Sequence, residues 1–359
     1  MTPTVAVTGI ALATALGGSL DATREALLAG RAAFTETAAT DGLYPGTVRA
    51  PAGALADDLS DVPAFGRRRL RALSQESLLV SRVGMLAWQD AGFEPDMAPD
   101  PEETAVVLGT ASGGLSGYLQ VMRDGLVLGP ELVSPYAGPQ GSLNAAASDL
   151  SIAAGAQGSI VTVTAGRCSG AHALTVAADY LRTGQAQAVL VAAVDVLDPL
   201  RLATGRAHTP PGEAVVVFVV EDTARARSRG ARVHVEITGL STLRGGADGQ
   251  GASAPAIAAA LADAGAGAGD LALVLSSSAG DPPLPGGTGA GSAVHGPLDA
   301  LGDCAGATTL LQVALAARAL AEGRVPRAVD GPRDVGSGRA LVLTTDEDGQ
   351  AAAVVVHRR

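Results

Sequence analysis

Two neighbouring residues in the run SIVTVTAGRCSGAHAL, Arg167 and Cys168, have the side-chain types that nucleophilic chemistry would either exclude or use. A β-rich stretch leads into a turn containing Gly166 and then into a helical pattern, the arrangement that presents a nucleophile at a helix N-terminus. Unpaired N–H groups and the positive helix end would lower a thiol there toward a pKa of ~7 or below, making Cys168 a candidate nucleophile. The competing reading is a small buried residue with no reactivity. Arg167 offers no such choice, because a guanidinium stays protonated and has no lone pair to offer.

The remaining titratable residues suggest no second centre. His172, on the helix after Cys168, reads as a packing or interface residue. His208, His234, His295 and His357 have no carboxylate or cysteine at ligand spacing, and Cys168 and Cys304 make no CxxC pair, so no metal is expected. Gly109, Gly113 and Gly114 lack the GxGxxG and Walker spacings, and no cofactor is expected either.

The elements that must position these residues alternate along the chain. Apolar, β-rich runs at Thr4 to Thr8, Thr104 to Leu108, Ser159 to Val163, Ala188 to Ala192 and Ala214 to Val220 are separated by helical patterns at Leu73 to Ala91 and Gly170 to Arg182. Such alternation predicts an α/β layered fold with strands buried on both faces. The first strand is expected to turn at Gly9. After Glu221 the pattern restarts with strands at Val233 to Ile237, Leu271 to Leu275, Ala340 to Thr344 and Ala351 to His357. Helices are expected at Ala254 to Ala264 and Ala307 to Ala321, the last stopped by Gly323 and Pro326. We read two halves, 1–225 and 226–359, with the seam near Ala224 to Gly230, and a loop from Gly280 to Gly291.

Composition narrows the partners. The 359 residues are 47% hydrophobic and 17% charged, as a heavily buried protein requires, and the formal net charge of −11 argues against nucleic acid. The 25 basic residues are all arginine, and the run Arg67, Arg68, Arg69 suits a solvated face or contact with an acidic partner. Two cysteines without a disulfide framework, an N-terminus without a basic region, and no run of ~18 apolar residues lead us to expect a soluble, cytoplasmic protein without a membrane span.

The stretch from Ser159 to Asp195 resembles the active-site segment of β-ketoacyl synthases, in which a cysteine and one variable residue precede Ser-Gly at the start of the helix. Other segments support the resemblance in order: VAVTGIALATALGGSLDATREALLAGRAAF, AVVLGTASGG, VSPYAGPQGSLNAAASDLSI, PPGEAVVVFVVED and LGDCAGATTLLQVALAARALAEGRVP. It implies a thiolase fold, two similar α/β halves in a five-layered αβαβα arrangement.

The resemblance also implies that the catalytic positions are lost. Counting back from Ser169 and Gly170 puts Arg167 at the nucleophile, with Cys168 one place late; Ser277, in VLSSSAGDPP, stands at the first histidine and Asp303, after Gly302, at the second. The family's glycine-rich closing motif is matched to DVGSGRALVL, without its phenylalanine. Arg167 and Asp303 are expected to pair as a salt bridge.

These departures resemble chain length factors, the non-condensing subunits that heterodimerise with a catalytic ketosynthase in type II polyketide synthases. Aromatic-type members typically carry glutamine where this chain has Arg167, so a reduced or polyene-type system is the expected subclass. The implied partners are the ketosynthase, an acyl carrier protein bound mainly through it, and the growing polyketide chain. Leu115, Tyr118 and Met122 share one helix face and would line the acyl tunnel at the interface, although the same spacing fits a core stripe. Two alternatives stand beside this reading: an acyltransferase using Cys168 as a displaced nucleophile, and a homodimeric scaffold.

Overall fold

The computed structural model describes residues 5–38, 47–51, 62, 65–70, 72–93, 99–197, 201, 210–245, 251–277, 284, 293–295, 298–325, 333–336 and 338–358. The expected loop from Gly280 to Gly291, apart from Leu284, lies outside these residues, as do His208 and Pro326.

Ten strands form one sheet. The first five are β1 (Val5–Thr14), β2 (Thr104–Gly109), β3 (Ile160–Val163), β4 (Ala188–Asp195) and β5 (Ala214–Asp222). The second five are β6 (Val235–Arg244), β7 (Leu271–Ser276), β8 (Ala293–His295), β9 (Arg339–Thr345) and β10 (Gln350–His357). Across the sheet the order is β8-β7-β9-β10-β6-β1-β5-β4-β2-β3. Read inward from either edge, each series of five therefore places its own strands third, second, fourth, fifth, first. Their directions repeat as well: the first two pairings of each series are parallel and the last two antiparallel. The series meet where Val5, Ala6 and Val7 pair antiparallel with Ile237, Glu236 and Val235.

The first strand differs from expectation at Gly9. Rather than turning there, β1 continues to Thr14, absorbing an irregularity in its pairing with β5 between Val7 and Gly9. A Cβ at Gly9 would stand 2.1 Å from the carbonyl oxygen of Ala87, so glycine permits a helix to pass against the strand.

That helix is α2 (Gln75–Asp90), which follows α1 (Leu20–Leu28). Ser74 caps α2 by accepting from the Ser77 N–H, which places its start two residues beyond the expected Leu73. The later helices are α3 (Leu115–Val127), α4 (Ala145–Ala154), α5 (Ser169–Arg182), α6 (Ser253–Asp263) and α7 (Thr308–Glu322). α5 and α7 lie between the two series of strands: Leu174 and Ala177 of α5 and Leu310, Leu311 and Val313 of α7 share one core with Val107 and Val189 of the first series and Leu275 and Val342 of the second. Nearly every face of α7 is buried, which is why its sequence is apolar all round. It ends at Gly323, whose φ of 70° is the left-handed cap that glycine adopts without strain.

α2 and α4 cover the outer face of the first series through Leu79, Val83 and Leu150. α6 covers that of the second through Ile257 and Leu261. The layers therefore run helix, sheet, helix, sheet, helix, and strands packed on both faces read as continuous apolar runs. Among the described residues no helix is long and apolar enough to cross a membrane.

Candidate functional site

The site forms where β3 gives way to α5. Gly166 takes a φ of 53°, and the Ser169 hydroxyl locks the turn, accepting from the Ala165 N–H at 2.9 Å and reaching the Gly166 carbonyl at 2.7 Å. This elbow sends the side chains of Arg167 and Cys168 into different surroundings.

Arg167 is held through all three of its guanidinium nitrogens. Its Nε and Nη2 donate to Asp303 Oδ1 and Oδ2 at 3.1 and 2.6 Å, and its Nη1 donates to the Thr345 carbonyl at 3.0 Å. Its main-chain N–H donates to Asp346 Oδ2 at 2.9 Å. Burial by itself would pull the guanidinium pKa down and the Asp303 pKa up, but the hydrogen-bonded ion pair reverses both, leaving Arg167 raised and Asp303 lowered. Asp303 is fixed in turn: Oδ1 accepts from the Ala305 N–H at 2.9 Å, and its carbonyl accepts from Gly212 N and Arg201 Nη2. Ala305, two residues after this charge, holds a φ of 46°, an uncommon conformation for a residue with a Cβ.

Ser277, at the end of β7, joins the same cluster through Thr345. The Thr345 N–H donates to the Ser277 hydroxyl at 2.9 Å while its carbonyl takes Arg167. The structure thus brings Arg167, Ser277 and Asp303 together from three separate segments.

Cys168 lies apart from this cluster. It is fully buried against Ala171 and Ala352, with its Sγ 3.6 Å from the Thr344 carbonyl. Burial pushes its thiol up to about 12, the Asp346 carboxylate adds to the rise, and Arg167 offsets only part. The expected lowering by the helix N-terminus is therefore reversed, because removing a thiolate from water outweighs the helix field. His172 lies four residues on from Cys168, just past one full turn along α5; burial lowers its pKa, and a hydrogen bond with the Gln350 side chain offsets this only in part.

The closing motif also needs correction. DVGSGRALVL does not reach the cluster, because Arg339 opens β9 opposite Leu271, and it is the other end of that strand, Thr345 with Asp346, that meets Arg167.

Sequence reasoning missed Asp195 as well. This buried carboxylate accepts from Thr110 Oγ1, Ala111 N, Ser112 N, Ser112 Oγ and Gly306 N at 2.6–3.1 Å, tying the turn before α3 to the turn before α7. An acid closing the otherwise apolar strand AVLVAAVD was its signal.

α3 overturns the core-stripe alternative. None of its residues is buried; Leu115 is half-buried, while Tyr118 and Met122 remain 53% and 45% exposed. The apolar surface continues through Leu126, Val127, Leu132 and Tyr136, and Leu126 reaches 82% exposure. Among the described residues no three His, Cys, Asp or Glu side chains gather as a metal site would require.

Comparison with known proteins places these features. Residues 2–208 match the family model for the beta-ketoacyl synthase N-terminal domain. A putative polyketide beta-ketoacyl synthase 1 from Streptomyces virginiae is 29% identical over 209 residues, 49% of this chain and 47% of that protein. The ketoacyl synthase alpha subunit of the tetracenomycin polyketide synthase from Streptomyces glaucescens is 28% identical over 190 residues, 44% of this chain and 43% of that one. These matches span about half the length of the curated relatives. Among solved structures, a beta-ketoacyl synthase from Burkholderia phymatum STM815 superposes with a TM-score of 0.82 at 20% identity, covering 99% of this chain and 100% of that one. The ishigamide ketosynthase/chain length factor gives 0.79 at 17% identity with full coverage of both chains. The layered architecture is therefore the thiolase-like ketosynthase fold, and the chain belongs to the beta-ketoacyl synthase family.

Proposed function

We propose that this chain is a non-condensing chain length factor of a type II polyketide synthase, paired with a catalytic ketosynthase as a heterodimer. The observation that carries the reading is Arg167: it stands at the elbow where a nucleophile would be, and each of its three guanidinium nitrogens donates to Asp303 or Thr345. The burial of Cys168 counts against the rival acyltransferase, because a thiol raised to about 12 yields almost no thiolate at neutral pH.

In this reading the apolar surface of α3 meets the ketosynthase. Leu115, Tyr118 and Met122 then line the tunnel that receives the growing chain, and the end of that tunnel sets its length. Each CH₂ that an apolar wall accommodates contributes ~0.8 kcal/mol, so a closed end discriminates sharply. Acyl carrier protein binds mainly through the partner, which carries out thioester transfer and decarboxylative C–C bond formation. A cytoplasmic location, a reduced or polyene product and the division into halves 1–225 and 226–359 belong to the same proposal; the last rests on the repeated strand order.

Co-expression with an adjacently encoded ketosynthase, followed by size-exclusion chromatography and mass measurement, tests the pairing. A 1:1 complex is expected. A stable homodimer that ignores the ketosynthase would favour the scaffold alternative.

A further inference from the structure

In an acyl-transferring site, main-chain N–H groups beside the nucleophile receive the oxygen of the tetrahedral intermediate. The N–H of Arg167 occupies such a place at the elbow, and it is already taken: it donates to Asp346 Oδ2 at 2.9 Å. This carboxylate is pressed against the turn, since a Cβ on Gly166 would fall 1.9 Å from Oδ2. Its own backbone is braced. Asp346 Oδ1 accepts from the Asp348 N–H at 2.8 Å, and the Asp346 N–H donates to the Gln350 carbonyl at 2.9 Å, closing the turn between β9 and β10.

We propose that Asp346 is a built-in occupant of the elbow's oxyanion seat, closing the site to a thioester oxygen independently of the missing nucleophile. The inference rests on the non-condensing reading only in supplying a second reason why the elbow does not acylate. In acylation a thiolate sulfur attacks the thioester carbonyl, forming a new S–C bond and moving the carbonyl pair onto oxygen. Collapse of that intermediate breaks the old S–C bond, and the departing thiolate takes up a proton. With Asp346 in place, the developing oxyanion meets a carboxylate instead of a free N–H. Restoring the nucleophile alone therefore does not restore transfer.

The test places cysteine at the elbow in an Asp303→Asn background, which removes the carboxylate that loss of Arg167 would leave unpaired. Arg167→Cys and Arg167→Cys/Asp346→Asn are each treated with the acetyl thioester of N-acetylcysteamine and, separately, with iodoacetamide. Alkylation requires no oxyanion donor and reports thiolate access alone. The Asp346→Asn variant is expected to acetylate faster by on the order of tenfold or more after correction for its alkylation rate. Equal corrected rates, or no acetylation in either variant despite ready alkylation, would overturn the proposal.

A second arm avoids the new cysteine. In Asp346→Gly, added formate is expected to raise the melting temperature above that in equal chloride, by filling the vacated seat, while the unaltered chain shows no formate-specific rise. Absence of that difference also overturns it. Failure to pair with a ketosynthase would sink the preceding section's reading and leave both results standing.

Discussion

The guanidinium of Arg167 and the carboxylate of Asp303, 136 positions apart in sequence, meet in a two-pronged ion pair with an Nη2–Oδ2 distance of 2.6 Å. Their side chains are 15% and 26% exposed, so water screens the pair only in part. The pair ties the elbow to the turn before α7, at the position we propose the family uses for its nucleophile.

Removing either member leaves the other charge in a half-buried site. Loss of one partner from a buried pair costs ~3–5 kcal/mol, and partial exposure discounts this to about 1–3 kcal/mol. Arg167→Ala and Asp303→Ala should each destabilise by that amount in denaturant unfolding, and the double variant by clearly less than the sum. Additive losses would show that the two do not act as a pair.

The pair should also appear in the pH dependence. Asp303 has a pKa lowered from 3.8 in the folded chain, so its stabilisation is present above the unfolded value and is lost as pH falls through the lowered folded value. Below about pH 4, unfolding free energy should fall more steeply for the unaltered chain than for Asp303→Asn. Parallel profiles would contradict this assignment.

Cys168 predicts the opposite slope at high pH. Its folded value of about 12 lies above the unfolded value, so the stabilisation is complete below the unfolded pKa and is lost as pH rises through the folded one. Cys168→Ala should flatten the decline between pH ~8.5 and the folded value. At pH 7, the native thiol should resist iodoacetamide until the chain is denatured.

The surface of α3 is testable by charge. Leu126→Asp, at a side chain 82% exposed, should leave the melting temperature of the isolated chain within a degree or two while weakening ketosynthase binding about tenfold or more. Tyr118→Ala should lengthen the polyketide made by the complex. Unchanged affinity would remove α3 from the interface, and unchanged product length would remove Tyr118 from the tunnel.

Much of this architecture was legible in the sequence because strands covered on both faces must be apolar throughout, as in β4 and β5. Arg167 and Asp303 were legible as a pair only because the resemblance to β-ketoacyl synthases put both in one site, where opposite charges require each other. Thr345 and Asp346 were not: they reach Arg167 only through the register of β9, from turn residues that look ordinary in isolation. The periodicity of Leu115, Tyr118 and Met122 is the same for a core face and an interface face, so exposure alone separates the two. The fate of Cys168 likewise depended on what packs over the helix start, which the local pattern does not specify.

In the proposed heterodimer, condensation belongs to the partner. The purified complex should be incubated with acyl carrier protein thioesters and the acyl group located by peptide mass spectrometry. Acylation confined to the ketosynthase cysteine, with none on this chain, is the predicted result. An acyl group on Cys168 that disappears in Cys168→Ala would contradict the account.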